Sequence, residues 1–94
     1  MSQIYITHPH SRTPDDLRDE IAKLANKLVG KYGGSYHQQQ DNRVVYSNSG
    51  IEASISYDAT CLTIEAKLGL MMAAFKGAIE AELKDYLNKN LNKN

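Results

Sequence analysis

The chain has 94 residues, 41% of them apolar and 23% charged, with eleven basic and eleven acidic side chains and so no net charge. That length makes one small domain, in which folding hides about 60–65% of the extended chain's surface, and docking of a second copy would add stability. Zero net charge argues against a general nucleic-acid binder, which needs a basic excess, and the single cysteine, Cys61, excludes an internal disulfide.

The opening MSQIYITHPH has no basic region followed by a long apolar run, so a cytoplasmic protein without a secretory signal is expected. Within it Ile4 and Ile6 alternate with Tyr5 and Thr7, the pattern of a half-buried strand, and Pro9 ends it. Thr13, Pro14, Asp15 and Asp16 then read as a helix start: an N-cap, a proline at the first helical position and negative charge among free N–H groups. Leu17, Ile21, Leu24 and Leu28 follow at spacings of four, three and four, widened by Ala25 and Val29. The spacing predicts an amphipathic helix over about 14–32, stopped by Gly33 at its C′ position.

Two polar strands are expected over about 35–40 and 43–48, around a tight turn at Asp41-Asn42. Tyr36 and Gln38 share one face, Val44 and Tyr46 share one, and Val45 faces away. After a turn at Asn48-Ser49-Gly50, Ile51, Ala53, Ile55 and Tyr57 alternate with Glu52, Ser54 and Ser56. Past Asp58, Leu62, Ile64, Ala66 and Leu68 alternate with Cys61, Thr63, Glu65 and Lys67. This is a hairpin with one dry and one polar face.

The stretch LGLMMAAF, Leu68 to Phe75, carries no charge. Eight residues fall far short of the roughly 20 that span a bilayer. Period two runs through Leu68 and Gly69 breaks it. From Met72, the residues Phe75, Ile79, Leu83 and Tyr86 recur at helical spacing, with Ala78 and Leu87 widening the stripe. The uncharged run is therefore a strand-to-helix corner. Met71 and Met72 are adjacent and cannot both enter one core, so one is expected at the surface or an interface. The domain is expected to span residues 1–88, with 89–94 a polar tail. The order β-α-β-β-β-β-α and the two one-sided helices predict an α+β fold: a two-layer sandwich, its antiparallel-rich sheet carrying both helices on one face. Both Ile21→Asp and Phe75→Asp are expected to unfold it.

Little in the chain points to catalysis. His8-Pro9-His10 could hold a metal only if His37 and Asp41 came to it, and these histidines read as solvent-facing loop residues. Cys61 has no histidine near it in sequence to act as a base. Glu80 and Glu82 are two apart and do not face each other, and Glu82 is expected to pair with Lys76 or Lys67. Lys23, Lys27 and Lys31 read as a solvated strip. A non-enzyme without metal or cofactor is expected. Its interaction surface would be Leu70, Met71, Met72 and Phe75, with Lys67 and Lys76 at the rim. The alternative is a carrier of an acyl or other apolar ligand between helices and sheet, with Tyr46, Tyr57 and Tyr86 as polar handles.

The block from Ser49-Gly50-Ile51 through KLGLMMAAFKGAIEAEL (67–83), with the first strand, the His-Pro-His stretch and the first helix, resembles the polyhydroxyalkanoic acid system proteins over nearly the whole chain. Its strongest parts are Leu68-Gly69-Leu70, Phe75-Lys76 and Ile79-Glu80-Ala81-Glu82. The resemblance implies an accessory, granule-associated protein of bacterial polyester storage, with no catalytic residues to carry over. Ala73-Ala74 departs from the bulkier or basic/proline pair frequent in relatives, and the Gln-rich hairpin is a second departure. The partners implied are a polyester granule surface or a granule protein. A homodimer, through the open edge of the polar hairpin or the methionine corner, is also expected.

Overall fold

The structure, a computed structural model, describes residues 2–91. Five strands, β1 (Ser2–Pro9), β2 (Ser35–Gln40), β3 (Arg43–Ser47), β4 (Ile51–Tyr57) and β5 (Cys61–Leu68), form one sheet in the order β1-β5-β4-β3-β2. Every neighbouring pair is antiparallel. Helices α1 (Pro14–Tyr32), α2 (Leu70–Ala73) and α3 (Lys76–Leu91) complete the chain. The fold is the expected two-layer α+β sandwich.

Each element forms where its local chemistry favours it. Thr13 Oγ1 accepts the Asp16 N–H at 3.2 Å and so caps α1. At the other end Gly33 adopts φ 77° and donates its N–H to Val29 O at 2.9 Å. Gly34 follows at φ 88°, and a Cβ there would stand 2.3 Å from Ser47 O. Only glycine fits a left-handed backbone pressed that close to the next strand.

Side-chain parity divides the sheet. Ile4, Ile6, Val44, Tyr46, Ile51, Ala53, Ile55, Tyr57, Leu62, Ile64, Ala66 and Leu68 are buried under the helices. α1 lies over β2, β3 and β4, while α3 lies over β1. α1 supplies Leu17, Ile21, Leu24, Ala25 and Leu28 to the core, and α3 supplies Ile79, Leu83, Leu87 and Leu91. The helices run antiparallel, because Lys31 meets Glu82 while Arg12, before α1, donates to Asn90 O at 2.8 Å. No helix among the described residues covers the other face of the sheet, where Tyr5, Glu52, Glu65 and Lys67 are exposed.

Two expectations change here. The polar tail does not begin at residue 89: α3 continues to Leu91, which is 5% exposed, because one more helical turn from Leu87 returns to the core. Residues 92–94 of that tail lie outside the described residues. Phe75 does not belong to the buried stripe; it is 55% exposed. The helix is interrupted at Ala74 and Phe75, so the stripe starts at Ile79.

A candidate docking corner

The corner begins at Gly69, whose N–H donates to Gly50 O at 2.9 Å. That bond ties the end of β5 to the turn between β3 and β4. α2 is a single turn held by the N–H groups of Met72 and Ala73 on Gly69 O, at 3.1 and 2.9 Å. Phe75 N–H bonds back to Met72 O, and Phe75 O accepts the first bond of α3 from Ile79 N–H. Both helical pieces are thereby anchored, and the turn between them projects outward.

The two methionines divide as their adjacency requires. Met72 packs against the core and over Gly50, where a Cβ would come within 2.6 Å of Met72 Cγ. Met71 is 87% exposed and Leu70 is 88% exposed. Beside them lies an open cleft of about 390 Å³ walled by Tyr32, Asn48, Gly50 and Leu70 to Met72. Lys76, half-buried, starts α3 next to Phe75. Lys67 is not brought to this rim. Leu68 enters the core, so the residue before it points to the opposite face of the sheet, in line with Gln3 and Glu52.

A polar knot holds the corner in place. Asn48 Oδ1 accepts the N–H groups of Gly50 and Ile51 at 2.7 and 2.8 Å. Its Nδ2 donates to Tyr46 Oη at 2.9 Å and to Tyr32 O at 3.4 Å. Tyr46, 0% exposed, donates in turn to Gly33 O. One side chain thus joins the end of α1 to the β3–β4 turn on which Met72 rests. The Asn-Ser-Gly triplet signals the turn in sequence; its link to Tyr46 and Tyr32 comes from tertiary packing and has no sequence signal.

The other sequence candidates serve the fold. Glu82 pairs with neither Lys76 nor Lys67. The helices run antiparallel, so its side chain meets Lys31 Nζ and Tyr32 Oη, the latter at 2.8 Å. Burial alone would raise the Glu82 carboxyl, but those hydrogen bonds and the charges of Lys31 and Lys27 hold it below its ordinary value. Burial and the bond to Glu82 push the Tyr32 phenol up to about 12. Tyr86 is pushed up to about 12 by burial and by Glu20, to which its hydroxyl donates at 3.4 Å. Lys27 Nζ lies 5.1 Å from the Tyr86 ring centroid.

As ligand handles, Tyr46, Tyr57 and Tyr86 have little room to act. Tyr57 is buried and donates to Asp41 O at 3.4 Å, and the seam between α1 and α3 encloses only about 10 Å³. Small-molecule sites need about 300 Å³ or more. His10 is not a free loop histidine. Its Nδ1 accepts the Arg12 N–H at 3.2 Å and its Nε2 faces Asp58 O at 2.8 Å, latching the start of α1 to the β4–β5 turn. Asp58 caps that turn through the N–H groups of Thr60 and Cys61, and these bonds lower its carboxyl. No group of three or more His, Cys, Asp or Glu side chains among the described residues could hold a metal ion. No helix among them is long and apolar enough to cross a membrane.

Fold and corner together define a small α+β protein with one apolar turn held out from its surface. Residues 4–91 match the model of the polyhydroxyalkanoic acid system protein family. The chain belongs to that family, the match spanning all three helices and the whole sheet apart from the first residues of β1. Comparison with curated proteins and with solved structures finds no match.

Proposed function

We propose that this chain is a non-catalytic accessory protein of bacterial polyester storage that docks through its apolar corner onto the polymer surface of a cytoplasmic granule. The observation that carries the reading is the near-complete exposure of two adjacent large apolar side chains, Leu70 and Met71, on an anchored turn. Leaving them in water has a cost that an apolar surface removes: burying both contributes about 3–6 kcal/mol gross. Phe75 widens the patch and Lys76 borders it, giving an apolar centre with a polar rim. Membership in a family named for the polyester system supports polymer as the occupant.

The test is co-sedimentation of the protein with washed granules. Leu70→Glu/Met71→Glu is the informative variant, because both side chains are exposed whereas Met72 supports the fold. Wild type is expected in the pellet and the variant in the supernatant. Equal recovery of a folded variant would remove the corner from the account.

A further inference from the structure

We propose that the bare face of the sheet holds a second site, at Arg43, for the carboxylate of a short hydroxy acid. That face encloses an open hollow of about 520 Å³ lined by Tyr5, Gln39, Arg43, Val45 and Ser54, among others. The volume falls within the roughly 300–1,000 Å³ of small-ligand sites. Arg43 Nε is buried and has no hydrogen-bond partner among the described residues. None of the ion pairs among the described residues involves Arg43. A guanidinium cannot shed its charge, and a buried donor without an acceptor is rare in a folded protein. A shift of the side chain that opens Nε to the hollow lets an oxyanion there meet both conditions, the planar fork binding it through two parallel bonds.

The strand register shows why no acid of the described strands fills that role. Arg43 stands opposite Ser56, Ser56 opposite Thr63, and Thr63 opposite Thr7. The row is made of hydroxyls. In the next row on this face Val45 stands opposite Ser54, and Glu65 enters only on β5. Glu52 stands opposite Ser47, two rows from Arg43. The register thus places Ser56 and Gln40 opposite Arg43, with Ser54, Val45 and His37 in the next row, and the hydroxyls among them suit a hydroxyl on the ligand. Glu52, Glu65 and Lys67 also line the hollow, so its formal charge with Arg43 balances. One monoanion is matched by Arg43, whereas a phosphate dianion would meet the two glutamates. Asp41, in the turn before β3, forms no ion pair with Arg43 among the described residues.

The hydroxy-acid chemistry draws on the family, but the site lies across the sheet from the helices and does not depend on the corner. An experiment without polymer therefore tests it separately. Amide NMR spectra of the full chain are followed as 3-hydroxybutyrate is added, with butyrate and inorganic phosphate as parallel arms. Saturable shifts centred on Arg43, Ser54 and Ser56 are expected, with affinity ~10-fold weaker in Arg43→Gln and weaker for butyrate, which lacks the hydroxyl. Arg43→Lys keeps the charge without the fork and is also expected to bind more weakly; it carries the test if Arg43→Gln does not fold. An absence of saturable shifts at these residues, equal affinity in a folded variant, or phosphate binding as tightly as the hydroxy acid would each overturn the proposal.

Discussion

Asn48 shows how one residue can position a surface that it does not form. It caps two N–H groups of its own turn and reaches Tyr46 and the end of α1. Alanine there would leave the buried Tyr46 hydroxyl with one partner fewer and uncap the turn. Asn48→Ala is expected to lose about 1–3 kcal/mol in urea unfolding and to broaden the amide signals of Gly50 and Met72. A stability within experimental error of wild type would show that water replaces the side chain without loss. Arg43 is the opposite case, a residue whose buried Nε has no hydrogen-bond partner among the described residues.

At the scale of elements, the change from period two to helical period at Gly69 is where the chain turns from sheet to helix. The first helix was legible to its ends, since Thr13, Pro14 and Gly33 each have a local physical reason to sit where they do. Alternation likewise predicts which residues of β3, β4 and β5 face the core. The interruption between α2 and α3 was not legible. Ala73, Ala74 and Phe75 are all compatible with an unbroken helix, yet α2 ends at Ala73 with Met72 packed over Gly50. Phe75 consequently leaves the core, contrary to its helical spacing. Surface substitutions usually change stability by less than about 0.5 kcal/mol. Phe75→Asp is therefore expected to melt close to wild type, whereas Ile79→Asp, at a buried position one turn later, abolishes the transition. A Phe75→Asp protein that fails to fold would place that ring back in the core.

For the whole molecule, the two helices of one layer are joined by a seam of charge as well as by apolar burial. Glu82 stands below its ordinary carboxyl value of 4.5 in the fold. Its contribution is thus present above that value and lost as pH falls through the depressed folded one. Stability measured by urea is expected to drop as pH falls below about 4.5, and the drop should be smaller in Glu82→Gln. An identical acid profile in that variant would show that the Lys31–Glu82–Tyr32 cluster does not couple the helices. Leu70 and Met71 take no part in this seam and are exposed, so they can be altered without opening the core.

The most direct measurement is the partition of purified protein onto polyester particles, compared between wild type and Leu70→Glu/Met71→Glu at matched unfolding midpoints. The account predicts at least a ~10-fold fall in partition for the variant, since burial of two such side chains is worth more than the roughly 1.4 kcal/mol that a tenfold change requires. A folded variant that partitions like wild type would contradict it.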